Sequence, residues 1–236
     1  MINIISTSTF TIPKEESSKN QDSILLPKKL DDYLIFAIAD GVGKYEGAKI
    51  ASSIAIEHIQ EISNISELSD MKLVFEIIKT KLINRANIDK KMSKMATTLT
   101  ICIINEDTLR IGHTGDCRVY TNEENQLKQQ TTDQTEHQKL IDEGSFTREE
   151  LKNHNRKNVL SSALSPTMDV VIEEKKIPLE SQQIYLMSDG AYHFLENSFQ
   201  NKPKKNNISE FCSNLENHIR KLSPNDDSSL IAVMIE

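Results

Sequence analysis

Five aspartates hold positions from which they could do chemistry: Asp22, Asp40, Asp116, Asp189 and Asp226. Asp40-Gly41 ends the apolar run Leu34-Ile35-Phe36-Ala37-Ile38-Ala39, and Asp189-Gly190 ends a second run, Ile184-Tyr185-Leu186-Met187-Ser188. A continuous apolar run bounded by turn residues suits a strand buried on both faces. A carboxylate buried at the end of such a strand is costly without a partner, so a nearby cation is the expected compensation. Asp22 lies near the start of another strand-like segment, Asp226 in the turn before a final apolar run, and Asp116 in Gly115-Asp116. Oxygen-only ligands of this kind suit magnesium or manganese better than zinc. Each Asp-Gly taken singly is a common turn. The pattern alone leaves turn and metal ligand both open.

The elements that must carry these residues follow from periodicity. Residues 2–12 alternate loosely and predict a strand with one solvated face. Residues 22–27 and 34–39 predict two strands joined by the short charged connection 28–32, a plausible hairpin. Ala48, Ala51, Ala55, Ile59 and Ile62 recur at helical spacing within a predicted helix over 46–62. A polar break at 64–70 precedes a longer helix with the stripe Met71, Val74, Ile77, Ile78 and Leu82, continuing past Arg85 towards Met92. Three strands, 97–104, 109–114 and 118–121, follow in quick succession and suggest an antiparallel meander. Residues 135–143 predict a short helix closed by Gly144, and Thr147-Arg148-Glu149-Glu150 has a capping-box pattern. Residues 168–177 and 183–187 predict a further strand pair. Ile208, Phe211, Cys212, Leu215, Ile219 and Leu222 mark a last amphipathic helix before a strand over 230–235. Strands in antiparallel groups separated by helix pairs indicate a single α+β domain over 1–236 rather than a doubly wound sheet.

Composition narrows the function classes. The 236 residues are 37% hydrophobic and 27% charged, as in a folded, soluble chain with a substantial core. A formal net charge of -7 argues against a nucleic-acid protein. The N-terminus lacks the basic and apolar regions of a signal peptide, and no stretch approaches a membrane span. Cys102, Cys117 and Cys212 form no Cys-x-x-Cys pair, so a reduced, cytoplasmic chain is expected. The six histidines, at 58, 113, 137, 154, 193 and 218, form no close ligand pair and read as surface or packed side chains. With aromatics at 5% and no Trp, a monomer is expected. The cluster Lys202-Pro203-Lys204-Lys205 reads as a solvated loop.

Eight segments, in order over nearly the whole chain, carry a family resemblance. They are Asn20-Gln21-Asp22-Ser23, Phe36-Ala37-Ile38-Ala39-Asp40-Gly41-Val42-Gly43, Ala96-Thr97-Thr98-Leu99, Gly115-Asp116-Cys117-Arg118-Val119-Tyr120, Thr131-Thr132-Asp133-Gln134, Asn158-Val159-Leu160-Ser161-Ser162-Ala163-Leu164, Ser188-Asp189-Gly190 and Asp226-Asp227-Ser228-Ser229. The chain resembles the metal-dependent protein serine/threonine phosphatases of type 2C, in their short bacterial form. The resemblance implies a sandwich of two antiparallel β-sheets flanked by helices on both sides. It implies a two-metal manganese or magnesium centre held by Asp22, Asp40, the Gly41 carbonyl, Asp189 and Asp226, with Asp116 and Asp189 at a third, weaker site. The implied activity is hydrolysis of phosphoserine and phosphothreonine on proteins by a metal-activated water, with a cognate Ser/Thr kinase as a conceivable partner.

Three positions depart from the family pattern. Ser17 stands where an Arg usually binds substrate phosphate; Lys19, nearby, is the candidate to bind phosphate in its place, with weaker binding expected because an ammonium lacks the bidentate fork. Lys44 replaces the second Gly of a Gly-Gly pair, and Gln21 replaces a Glu. None removes an implied metal ligand. Other readings compete. Gly41-Val42-Gly43-Lys44-Tyr45-Glu46-Gly47 loosely resembles a dinucleotide fingerprint, but Asp40 would repel a pyrophosphate and no parallel strand follows the helix. No cysteine opens a Cys-x5-Arg phosphate loop. A catalytically weak or inactive module that binds phosphoproteins is the non-enzyme alternative.

Overall fold

In the computed structural model the described residues are 2–16, 18–43, 47–151, 159–179, 182–204 and 207–236. Ser17, Lys44 and Asn158 lie outside them. The chain begins with strands β1 (Ile4–Ile12), β2 (Ser23–Leu30) and β3 (Tyr33–Ala39) and helices α1 (Ala48–Glu61) and α2 (Met71–Ile88). Strands β4 (Leu99–Ile104), β5 (Thr108–Thr114), β6 (Arg118–Glu123) and β7 (Gln126–Gln129) follow, then short helices α3 (Glu136–Asp142) and α4 (Arg148–Leu151). The chain closes with β8 (Glu173–Pro178), β9 (Gln183–Met187), α5 (Asp189–Asn197), α6 (Ile208–Leu222) and β10 (Ser228–Ile235). Two five-stranded antiparallel sheets result, ordered β1-β10-β9-β6-β7 and β2-β3-β4-β5-β8.

Strand β3 shows why this is a sandwich. Leu34, Phe36 and Ile38 face the core between the sheets, where they meet Cys102, Ile111, Val119, Leu186 and Val233. The alternate residues Ile35, Ala37 and Ala39 face outward and are covered by α1 and α2 through Ala51, Ala55, Ile59, Phe75 and Ile78. Period-two alternation therefore serves two cores at once, so β3 reads as unbroken apolar sequence. Each fully buried large side chain contributes roughly 1.5–3 kcal/mol. The other sheet has its own outer core: Tyr185, Met187, Leu230 and Ala232 pack on Phe211, Cys212, Leu215 and Ile219 of α6. The layers run helices, sheet, sheet, helices, as the family resemblance implies.

Helix starts follow local chemistry. Asp70 accepts from the Leu73 amide at 3.1 Å to cap α2, and Asn207 accepts from Glu210 at 3.0 Å to cap α6. The Thr147–Glu150 capping box forms, the Thr147 amide donating to Glu150 Oε2 at 2.7 Å. The helix after the polar break ends at Ile88, and a 3-10 turn, Lys90–Lys94, completes the run towards Met92.

Several expectations need correction. The three strands read as a meander do not form one: β4 pairs with β5, but β6 crosses to the other sheet and pairs with β7 and β9. Likewise β8 pairs with β5 and β9 with β10 and β6, so residues 168–177 and 183–187 do not pair with each other. Apolar alternation reports a buried face and not the sheet to which it belongs. Strand β7, with the polar sequence QLKQ, has no apolar signature. Asp189-Gly190 opens helix α5 instead of only turning after a strand. The dinucleotide reading has no βαβ unit behind it, since β3 and β4 are antiparallel neighbours. No helix among the described residues is long and apolar enough to cross a membrane.

Candidate metal centre

The carboxylates gather at one end of the sandwich, and each sheet supplies two. Asp22 immediately precedes β2 and Asp40 immediately follows β3; Ser23 and Ala39 are register partners, so the hairpin sets the two side by side. Asp189 follows β9 and Asp226 precedes β10, whose Leu230 pairs with Met187. Asp116 sits in the crossing between β5 and β6.

Neighbours fix the segments that carry several of these carboxylates. The Asp40 amide donates to Thr98 Oγ1 at 2.9 Å, while the Thr97 hydroxyl and Thr98 amide donate to the Asp40 carbonyl at 2.9 and 2.8 Å. Ser188 Oγ donates to Asp22 Oδ2 at 2.9 Å and accepts from the Ser229 amide at 2.9 Å, tying the first sheet's β10 to the second sheet's Asp22. Asp227, buried and next to the exposed Asp226, accepts from the Lys14 amide at 2.8 Å and the Gln21 amide at 2.6 Å. Lys49 Nζ donates to the Asp22 carbonyl at 2.6 Å and to Ser23 Oγ at 2.9 Å, bracing the same segment from α1. Gln134 holds the Gly115 turn: its side-chain oxygen accepts from the Gly115 amide at 3.1 Å and its backbone N–H donates to the Gly115 carbonyl at 2.8 Å. Arg118 is gripped bidentately by Asp133 at 2.8 and 2.7 Å and lies 3.7 Å over the Tyr192 ring, linking β6 to α5.

At two glycines the space a side chain would need is taken by backbone. A Cβ on Gly41 would lie 2.6 Å from the Ala48 carbonyl oxygen and 2.9 Å from that of Gln21. One on Gly190 would run into the Asp227 carbonyl oxygen.

The electrostatics are those of confined like charges. Burial pushes the Asp22 carboxyl up to about 6, with the Asp227 charge adding to the rise and hydrogen bonds from Ser229 and Ser188 opposing it. Burial, then Asp133, raises Asp116 to about 7 against the opposing pull of Arg118. Asp40 is held well above the carboxylate range by burial and then by Asp22, Asp189, Asp116 and Asp226. Burial does the same to Asp189, followed by Asp116, Asp226 and Asp22. Those interactions establish that all five share one field. Asp22 Oδ1 and Asp189 Oδ1 are buried with no hydrogen-bond partner. An orphaned buried carboxylate oxygen is costly, and an all-oxygen donor set fits a hard divalent cation. No group of three carboxylate, imidazole or thiol side chains among the described residues is already gathered as a closed cage. The fit therefore rests on shared field and orphaned oxygens, not on finished ligand geometry.

The cleft over the cluster has a volume of about 290 Å³ and is bounded by Asp40, Gly41, Asp116, Asp189 and Asp226, with Lys14, Gln21, Thr98 and Asn225 among its walls. Asp22 lies beneath it, 3% exposed. Lys14 is the one Lys or Arg among the described residues on these walls. Lys19 is exposed and is not among them. The sequence assigns no role to Lys14 or Lys49, and none to Ser188, Asp227 or Gln134 although these stand in the quoted segments. Ser188 and Asp227 adjoin predicted ligands, which is a usable signal; Lys14, in an irregular loop, had none. His113 is a packed side chain, buried between Thr100 Oγ1 at 2.8 Å and the Thr132 carbonyl at 3.2 Å, and all three thiols are buried and free; His154 lies outside the described residues.

Comparison with known proteins converges on the same fold. The serine/threonine phosphatase stp of Listeria welshimeri is 25% identical over 180 residues, 72% of this chain and 71% of that protein. The crystal structure of the Mycobacterium tuberculosis serine/threonine phosphatase PstP superposes with a TM-score of 0.84 at 20% identity, covering 99% of this chain and 100% of that one. A crystal structure of the PstP catalytic domain in complex with two manganese ions gives a TM-score of 0.78 at 19% identity, covering 98% of each chain. The pattern of the protein phosphatase 2C family matches residues 14–232, almost the full length, and the chain belongs to that family.

Proposed function

We propose that this protein is a metal-dependent protein serine/threonine phosphatase that acts on phosphoserine and phosphothreonine within one domain spanning 1–236. The observation that carries the reading is the convergence of Asp22, Asp40, Asp116, Asp189 and Asp226 in one field, two of them with orphaned buried oxygens. Asp22, Asp40, the Gly41 carbonyl, Asp189 and Asp226 would hold two manganese or magnesium ions, and Asp116 with Asp189 a third. The bound ions would supply a water acidic enough to act at neutral pH and would offset phosphoryl charge.

The chain's own residues do the positioning. Thr97 and Thr98 hold the Asp40 backbone, Ser188 and Lys49 hold Asp22, and Gln134 holds the turn carrying Asp116. Lys14, on the cleft wall, is the better-placed cation for a substrate phosphoryl group; Lys19 stands further out in solvent. No side-chain nucleophile is needed. Ser188 Oγ is committed to Asp22, and burial together with the charge of Asp40 pushes the Cys117 thiol well above its usual range. The substrates are phosphoproteins, the location is the cytoplasm, the chain acts as a monomer, and a cognate kinase supplies its substrates.

The test is hydrolysis of p-nitrophenyl phosphate and of a phosphothreonine peptide, with added manganese or magnesium and with an EDTA control. Turnover that needs the ion and disappears in Asp40→Asn and Asp189→Asn, each with an unchanged circular dichroism spectrum, supports the reading. Metal-independent turnover, or phosphopeptide binding without turnover, overturns it.

A further inference from the structure

A larger hollow of about 570 Å³ adjoins the cleft over the carboxylates, between α5 and the end of α6, and shares Asp189, Asn225 and Asp226 with it. A volume in the range of roughly 300–1,000 Å³ is that of a ligand site. Its far wall is different in character from the cleft. Phe194 and Leu222 supply its apolar surface beside His193, Asn197 and Ser198, and no Lys or Arg is among the described residues that line it.

The wall is built rather than incidental. Phe194 meets the His218 ring edge-on at 6.3 Å, which fixes its plane. Ser198 Oγ is 2.8 Å from His218 Nε2, and Asn197 donates to the His193 carbonyl at 2.8 Å, so the last turn of α5 is pinned. Opposite, Leu222 ends the apolar stripe of α6 with 49% of its surface exposed. The next residue, Ser223, holds a left-handed φ of 58°. That conformation is uncommon for a residue with a side chain. It turns the chain from Leu222 towards Asn225 and Asp226 on the cleft, so one sharp bend joins the apolar wall to the carboxylate end.

We propose that this hollow seats an apolar side chain of the phosphoprotein, close in sequence to the phosphorylated residue, and so selects among substrates. The inference rests on the phosphatase reading above. The occupant follows from continuity and chemistry. A phosphoryl group over the carboxylates places the flanking peptide at the shared edge formed by Asp189, Asn225 and Asp226. The surface that edge leads to offers an aromatic ring and a leucine. Among the described lining residues, a long cationic side chain would find carboxylate partners only at Asp189 and Asp226, which the proposed centre already employs.

The experiment uses the whole chain with added manganese and matched phosphothreonine peptides bearing Leu, Ala or Arg at each flanking position in turn. At one position or more, kcat/KM for the Leu peptide should exceed that for the Ala peptide about tenfold, the low end of what an apolar pocket discriminates. In Leu222→Gln, which keeps helix propensity and lies at an exposed site, that ratio should fall towards one. A ratio near one in the natural protein at every position, a ratio unchanged in Leu222→Gln, or a preference for Arg would each overturn the subsite. Hydrolysis of p-nitrophenyl phosphate by the natural protein is the separate arm. Its absence would remove the phosphatase centre and this inference together, whereas turnover with a flat peptide series would remove the subsite alone.

Discussion

Replacing Asp22 by Asn separates the stability of the carboxylate cluster from its use. The Asp22 carboxyl has an ordinary value of 3.8 and is raised to about 6 in the folded protein, chiefly by burial. A raised carboxyl stabilises the fold while it is protonated. That contribution is complete below the unfolded value and is lost as pH rises through the folded one. Between pH 5 and pH 8, proton linkage with these two values removes about 1.4 kcal/mol of metal-free stability. For a chain of this length each kcal/mol moves the melting temperature by about 2–4 °C, so the expected loss is about 3–6 °C. Asn keeps an acceptor for Ser188 Oγ and carries no charge at either pH. Thermal unfolding of both proteins in EDTA should therefore show the natural chain losing about 3–6 °C more than Asp22→Asn between the two pH values. Manganese should reverse the ranking. An ion at about a hundred times its dissociation constant adds about 2.7 kcal/mol to the natural chain and much less to a variant lacking one ligand. Parallel pH profiles in EDTA would refute the electrostatic account. Equal manganese stabilisation of the two proteins would refute the ligand assignment.

Three further outcomes are expected. Lys14→Ala should raise KM for a phosphothreonine peptide several-fold more than Lys19→Ala, because only Lys14 lines the cleft; equal effects in steady-state kinetics would return the role to Lys19. Gly190→Ala should lower the urea midpoint, since its Cβ meets the Asp227 carbonyl and overpacking of this kind costs roughly 1–3 kcal/mol. Arg118→Met takes the cation from Asp133, whose side chain is 14% exposed, and should cost up to roughly 3–5 kcal/mol in urea unfolding, with Arg118→Lys restoring only part because an ammonium cannot reproduce the two-pronged bond.

The ends of the apolar runs were the legible part of this chain. Asp40-Gly41 and Asp189-Gly190 stand out because a charge terminates a buried strand, and that contrast survives in one dimension. The partners of those residues did not stand out. Ser188, Lys49 and Gln134 are ordinary polar residues until folding sets them beside a carboxylate, so their roles exist only in three dimensions. Sheet membership was hidden for a related reason: β5 and β6 have similar apolar alternation, yet the Gly115 turn sends them into different sheets. The opening of α5 was obscured because Ser-Asp-Gly serves equally as a turn and as a helix start. The hollow beside α5 was invisible, since Leu222 continues the apolar periodicity of α6 and only its 49% exposure sets it apart.

Because Asp22 and Asp40 belong to one sheet and Asp189 and Asp226 to the other, the filling between the sheets acts as a spacer for the carboxylates. Phe36, Ile111, Leu186 and Val233 set how far apart the two slabs stand. Thinning that filling, even at a residue that touches no aspartate, would bring the slabs together and retune the centre's grip on its ions. If these carboxylates hold the proposed ions, affinity would be a property of the sandwich's thickness as well as of the side chains at its mouth.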